Sequence, residues 1–274
     1  MVNITMLGTG NALVTKCYNT CFLIQTDHGV VMVDAGGGNG IQNQMAVIGA
    51  DWKQVNTLYI THGHTDHILG CIWVMRKINT MMKKGKYSGE FHVYGLKENL
   101  DYLKSSCEFM LADPINDNIK FIPVADRDRF AECGIDFEVM DIFSTKMNQV
   151  GFRATIPSSL TDGKCDEDTV LVCLGDEPYN EKCESLVCGA DWLMSEAFCL
   201  YEDREIQKPY EKHHSTALDA GVLADKLGVK NLILYHTEDT DLEHRSERYS
   251  AEARQHFKGN IYVPNDLENI ALFP

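Results

Sequence analysis

Within seven residues, Thr61-His62-Gly63-His64-Thr65-Asp66-His67, the chain holds three imidazoles and a carboxylate. The apolar run Leu58-Tyr59-Ile60 precedes this stretch, and an apolar helical pattern starting at Ile68 follows it. Neutral imidazole and carboxylate suit zinc, iron or manganese, and alternate residues of an extended turn can converge on one point. So dense a polar cluster, held between a buried strand and a helix, has no obvious packing use, and a metal site is expected here.

The 274 residues, 44% of them hydrophobic, suffice for one large domain or two small ones with a substantial core. A formal net charge of −15 opposes nucleic-acid binding unless basic residues gather locally. The ten cysteines are scattered without a CxxC pair, and several, such as Cys173, lie inside apolar runs. They read as small buried hydrophobes of a reduced cytosol. No apolar run approaches the ~18 residues of a membrane span, and no basic or apolar leader precedes Ile4-Thr5-Met6-Leu7. A cytoplasmic protein without a membrane partner is expected.

Strands over 2–8, 19–26 and 30–34 are expected to form an antiparallel meander, with residues tolerant of positive φ at Gly10-Asn11 and His28-Gly29. Gly8-Thr9-Gly10-Asn11-Ala12 lacks the third glycine of a dinucleotide fingerprint and reads as a turn. A helix near 39–49 follows. The next helix, 68–84, carries Ile68, Ile72, Met75, Ile78, Met81 and Met82 at near-helical spacing, the methionines as core filling. A strand over 91–94, with His92 structural, leads to a helix over 96–111 and strands over 119–124, 135–142, 150–156 and 168–174. Helices over 180–188, 215–227 and 246–257 then alternate with strands over 191–195, 231–235, 261–263 and 269–272. No Pro- or Ser-rich linker divides the chain. One domain over 1–274 is therefore expected, a two-sheet sandwich with helices on both outer faces.

The pattern HxHxDH resembles the metallo-β-lactamase superfamily of binuclear metallohydrolases. The resemblance implies an α/β fold, a four-layer αββα sandwich of two mixed sheets flanked by helices. It implies that His62 and His64 bind metal 1, and that Asp66 and His67 bind metal 2. Asp176, closing Val170-Leu171-Val172-Cys173-Leu174-Gly175, sits where the family has its metal-bridging aspartate. His236, closing Leu232-Ile233-Leu234-Tyr235, sits where it has the last metal-2 ligand. Asp34, in Val33-Asp34-Ala35-Gly36, matches an aspartate that supports the metal loop by an outer hydrogen bond, although it also suits a cap for the helix near 39–49.

Ala190-Asp191-Trp192-Leu193-Met194-Ser195-Glu196-Ala197 and His214-Ser215-Thr216-Ala217 are similar to segments of the ribonuclease Z and phosphodiesterase branch. By that resemblance His214 protonates the leaving oxygen or stabilises the transition state, and Glu196 orients it. His213 has no counterpart. Two features depart from the branch. Its further metal-1 histidine is absent, Thr145 standing near the expected position. Metal 1 would then rest on His62, His64 and Asp176 with water, or bind weakly, or be lost, with Lys146 as a candidate to occupy the vacant volume. The tRNA-binding arm is also missing, its interval crossed between Phe152 and Leu174 with Asp162, Asp166, Glu167 and Asp168 in it.

The resemblance implies two divalent ions, zinc in the first place, with manganese or iron as alternatives. Such ions lower the pKa of a bridging water from ~15.7 towards ~7 and hold the resulting hydroxide for attack. Asp66 would accept a hydrogen bond from that nucleophile while His214 serves the leaving group. The expectation is a metal-dependent hydrolase of a small phosphodiester, such as a cyclic nucleotide or cyclic phosphate, with nucleic acid disfavoured. Its rivals are a tRNA 3′-processing endonuclease and a non-catalytic metal- or ligand-sensing module. Homodimers are common in the branch, and the Met-rich helix 68–84 would serve as interface or as core.

Overall fold

The computed structural model describes residues 2–273. Its strands, in chain order, are β1 (Asn3–Gly8), β2 (Cys21–Thr26), β3 (Gly29–Val33), β4 (Val55–Ile60), β5 (Phe91–Gly95), β6 (Ile119–Pro123) and β7 (Arg129–Glu132). They continue with β8 (Ile135–Asp141), β9 (Val150–Ile156), β10 (Thr169–Cys173), β11 (Trp192–Glu196), β12 (Asn231–Tyr235), β13 (Asn260–Tyr262) and β14 (Asn269–Ala271). One sheet runs β14-β1-β2-β3-β4-β5-β6 and the other β13-β12-β11-β10-β9-β8-β7. Both are mixed. In the first, β1, β2 and β3 form the expected antiparallel meander, and β3 to β6 pair in parallel. In the second, β10 to β13 pair in parallel and β7 to β10 antiparallel.

Apolar residues on the facing sides interlock. Ile4, Phe22, Val31 and Tyr59 of the first sheet meet Phe137, Phe152, Leu171 and Ile233 of the second in one buried cluster. The Tyr59 hydroxyl donates across the gap to the Gly151 carbonyl (2.9 Å). Helices α1 (Gly40–Val47), α2 (Thr65–Lys83) and α3 (Lys97–Met110) cover the first sheet. Short α4 (Glu184–Val187), α6 (Ala217–Leu227) and α7 (Arg245–Ala253) cover the second, with α5 (Arg204–Gln207) on a connecting loop. This is the expected four-layer αββα sandwich of two mixed sheets.

In α2, Ile68, Ile72, Met75, Ile78 and Met82 are buried against the first sheet, so its apolar face serves the core. Gly70 permits that approach: a Cβ there would lie 1.7 Å from the Ala35 carbonyl oxygen.

Four local expectations are corrected. The strand β7 was not foreseen; Arg129-Phe130-Ala131-Glu132 is short and half polar, and it pairs only with β8. The helix expected over 180–188 divides into a 3-10 turn (Glu181–Cys183) and α4, while that over 246–257 ends at Ala253. Neither Gly10 nor Asn11 takes positive φ. Gly10 is needed for space instead, since its Cβ would fall 2.5 Å from Val14 and 2.6 Å from Cys17.

All ten thiols are free, and Cys188 is the exposed one. Burial pushes the Cys107, Cys133 and Cys199 thiols up to about 12 and those of Cys173 and Cys183 to about 11. Iodoacetamide at pH 8 is therefore expected to label Cys188 well before these, because thiolate and access are both required. Peptide mapping would read the order, and equal labelling of Cys173 would contradict it.

Candidate metal centre and active-site cleft

The candidate residues lie at the carboxyl ends of buried strands. Asp34 follows β3, His62 follows β4 after Thr61, Asp176 follows β10, Glu196 ends β11 and His236 follows β12. Ligand crevices of open α/β sheets form at such ends. His64, the residue before α2, Asp66 and His67 then fall on the first turn of that helix. A backbone hydrogen bond from Val150 N to the Thr61 carbonyl (3.0 Å) joins the sheets beside the cluster.

Two sets of donors converge, His62-His64-Asp176 and Asp66-His67-His236, each with its ligand atoms within 4.8 Å of one another. Asp176 belongs to the first and borders the second. Its Oδ2 lies 3.5 Å from His62 Nε2, 3.5 Å from His67 Nε2 and 3.6 Å from His236 Nε2. The His67 Nε2 atom is buried and has no hydrogen-bond partner. A buried, unpaired imidazole nitrogen facing two carboxylates fits a cation, so the donor set present suits a divalent metal.

The opposite ring nitrogens are held from outside. His67 Nδ1 is 2.8 Å from Asp34 Oδ2, His62 Nδ1 is 3.0 Å from Thr61 Oγ1, and His236 Nδ1 is 3.1 Å from Thr20 Oγ1. The Thr61 hydroxyl donates to Asp34 Oδ2 (2.6 Å) and the Thr20 hydroxyl to the Gly10 carbonyl (3.0 Å). Each threonine oxygen is thus free to accept from an imidazole, and the network assigns the proton to Nδ1 in His67 and His236 and leaves their Nε2 for a metal, while His62 Nδ1 is faced by both Thr61 Oγ1 and the Gln149 amide. Asp34 braces the loop and does not cap α1, which has no side-chain cap. Thr20 and Thr61 were missed in the sequence, where threonine in a strand or turn carries no distinguishing signal.

Burial is the largest single influence on His62, Asp66, His67, Asp176 and His236. It holds His62 down to about 4 and His236 to about 3. At His67 burial is overcome by Asp66 and Asp34, which raise it well above the usual histidine range. Asp176 is carried well below the carboxylate range, against burial, by His62, His67 and His236. The cluster thus favours ionised carboxylates beside neutral His62 and His236, while His67 is pushed towards its charged form.

His214 and Glu196 stand together on the side of the second sheet. Glu196 is buried and accepts from the backbone N–H groups of Phe198 (3.1 Å) and Ser215. His214 Nδ1 is 3.7 Å from Glu196 Oε2, and Phe198 stacks on its ring at 4.8 Å between centroids. Lys146 Nζ lies 3.4 Å from His214 Nε2. Lys146 therefore reaches this imidazole and does not fill the place of the missing histidine. Thr145 turns to His213, its Oγ1 being 2.9 Å from His213 Nδ1, so His213 ties two loops beside the cleft. His92 is structural, paired with Glu132 and Glu90. The donor set's neighbour that sequence reading missed is Gln149, buried between His62 and Asp176.

The centre opens into a cleft of about 630 Å³ bordered by Asn11, Leu13, Met147, Phe198, Lys146 and Lys212. That is room for a small molecule.

Fold and site together define a metal-dependent hydrolase of the metallo-β-lactamase superfamily, of the ribonuclease Z-like and phosphodiesterase kind. More narrowly, the chain belongs to the family described as anti-Pycsar protein Apyc1, whose model matches residues 2–255. It is 25% identical to a ribonuclease Z of Nocardia farcinica (strain IFM 10152), with 99% of this chain and 98% of that protein covered. Its fold is shared with the metallo-β-lactamase-fold protein YhfI from Bacillus subtilis, at a TM-score of 0.76, 16% identity and 98% coverage of both chains. A diphosphatase from the PhnP family shares it at a TM-score of 0.72 and 17% identity, over 98% of this chain and 96% of that one. The ribonuclease Z relatives give no support to the expectation, drawn from net charge, that nucleic acid is disfavoured. Among the described residues no helix is long and apolar enough to cross a membrane.

Proposed function

We propose that this chain, acting as one domain over 1–274, hydrolyses a small phosphodiester, a cyclic nucleotide or cyclic phosphate. The observation that carries this reading is the joining of two donor sets through Asp176 Oδ2 in a cleft whose far side presents His214 and Lys146. His62, His64 and Asp176 would hold one cation, and Asp66, His67, His236 and Asp176 the other. Zinc is our first assignment, with manganese or iron also suited to imidazole and carboxylate without thiolate. Bound there, the cations supply an activated water and neutralise charge growing on the phosphoryl oxygens.

The residues then divide the remaining work. Asp66 accepts a hydrogen bond at its carboxylate from the attacking water. His214 Nε2 faces the leaving oxygen, while Glu196 and the stacked Phe198 fix the ring. An ammonium only donates, so while Lys146 touches Nε2 that nitrogen's lone pair faces the lysine and the Nδ1 proton faces Glu196; to act as the acid His214 must carry a proton on Nε2 as well, the Glu196 carboxylate then supporting the imidazolium through Nδ1. A leaving oxygen entering between Lys146 and His214 would meet a cation and an imidazole together. Ten free thiols favour a reduced, cytoplasmic setting. Homodimerisation, common in the branch, is the oligomeric state we assign.

The test is hydrolysis of bis(p-nitrophenyl) phosphate, and then of 3′,5′-cyclic nucleotides, by protein loaded separately with zinc and manganese. A metal-dependent rate is expected, abolished in His64→Ala and lowered about 10²–10⁴-fold in His214→Ala, the usual contribution of a general acid. No rate with either metal, in protein that binds zinc, would sink the reading.

The likeness to ribonuclease Z over nearly the whole chain favours a second reading, a tRNA 3′-processing endonuclease. Against it, the connection from β9 to β10 is a short acidic turn with no room for a basic arm. Cleavage of a labelled precursor tRNA at low salt, faster than of the cyclic nucleotides, would replace the first reading with this one.

A further inference from the structure

The branch's additional histidine is absent, and the position nearest it, Thr145, faces His213. The space between His62 and the shared carboxylate is instead occupied by Gln149, buried on the strand-side end of the same loop. Its Nε2 donates to Asp176 Oδ1, and its Oε1 accepts from the Asp176 backbone N–H at 3.3 Å. One amide thus grips one residue at two points, side chain and main chain.

The orientation of that amide is determined by its surroundings. Turned over, it would place Oε1 against Asp176 Oδ1, acceptor to acceptor, and Nε2 against the Asp176 N–H, donor to donor. Gln149 Nε2 also lies 2.8 Å from His62 Nδ1, but Thr61 Oγ1 is available to that nitrogen at 3.0 Å. The contact with Asp176 is the one that Gln149 alone can make.

A carboxylate can serve two cations through one oxygen or through both. With Oδ1 occupied by Gln149, only Oδ2 remains, and Oδ2 is the atom equidistant from His62, His67 and His236. We propose that Gln149 is a positioning residue that holds Asp176 so that Oδ2 alone faces both donor sets, offsetting the loss of the branch's histidine. The inference rests on the ligand assignment made above, but not on the identity of the substrate. Outer hydrogen-bond partners of metal ligands typically change affinity 10–100-fold. The dependence should be largest in the His62-His64 set, where Asp176 is one of three donors.

Zinc binding to the full chain, measured by competition with a chromogenic chelator and by zinc content after dialysis, tests this without any substrate. In Gln149→Met, which retains length and bulk but has no donor, the second zinc equivalent is expected to bind about 10–100-fold more weakly, while the metal-free protein unfolds at its original temperature. Adding Gln149→Met to Asp176→Asn should change zinc binding no further. Two equivalents bound as tightly as in the parent, or an equal loss in the Asp176→Asn background, would overturn the proposal. Should Gln149→Met fail to fold, Gln149→Asn withdraws the amide by one methylene. It should show the same weakening, and unchanged zinc binding there overturns the proposal equally. A protein that loses zinc as expected yet hydrolyses no phosphodiester would leave Gln149 in place and remove only the functional reading.

Discussion

Asp176→Ala is expected to lower kcat/KM for a phosphodiester about a thousandfold or more and to reduce zinc content from two equivalents towards none. The residue is 3% exposed, and its Oδ2 lies 3.5–3.6 Å from imidazoles of both donor sets, His62 in one and His67 and His236 in the other. Charge stabilisation by bound cations is worth several kcal/mol in such reactions, and each ~1.4 kcal/mol is a factor of ten in rate. Removing Asp176 also takes a negative charge from among His62, His67 and His236, whose unfavourable burial it offsets. Kinetics and metal analysis on the same preparation check both effects. Two zinc ions retained with undiminished rate would exclude Asp176 from the centre.

Phe152→Ala is expected to cost about 3–5 kcal/mol of stability, the range for deleting a buried phenylalanine. Phe152 is fully buried in the layer between the sheets, 5.5 Å from Tyr59 and 5.4 Å from Phe137 between ring centroids, both edge-on. Little can close the resulting cavity, because the rings around it belong to strands fixed by pairing on both sides. At roughly 2–4 °C per kcal/mol for a chain somewhat smaller than this one, the midpoint should fall by about 10 °C. Thermal and urea unfolding would measure it; a loss under 1 kcal/mol would mean that the layer repacks.

Much of this molecule is legible in its sequence because the informative residues are local or are tied to strand ends. His62, His64, Asp66 and His67 lie within one turn, and Asp176 and His236 each close an apolar run, so resemblance and periodicity point to the same positions. Asp34 is legible for the same reason, although only its hydrogen bonds to Thr61 and His67 decide between bracing the loop and capping α1. Gln149 was not legible. Its use depends on Thr145 and Lys146 turning away to His213 and His214, which follows from the course of the loop and from no pattern in it. Thr20 serves His236 from 216 residues away, a pairing set by β1, β2 and the bridge from Gly10 to Thr237. The left-handed backbone of Asp34 (φ 54°) and His236 (φ 58°) is likewise invisible beforehand. Polar residues of these types tolerate it better than the β-branched residues that fill the strands.

The short bridge from Val150 to Thr61 has a wider meaning. The proposed ligands come from both sheets, from residues 62–67 on one side and from 176 and 236 on the other, so a cation held between them ties together parts of the chain more than a hundred residues apart. In the unfolded chain such a tie closes a very long loop, and closure of long loops carries a large entropic penalty. Metal would then act as a reversible staple on the fold as well as a reagent, and the availability of the ion would govern how long the molecule persists as well as how fast it turns over.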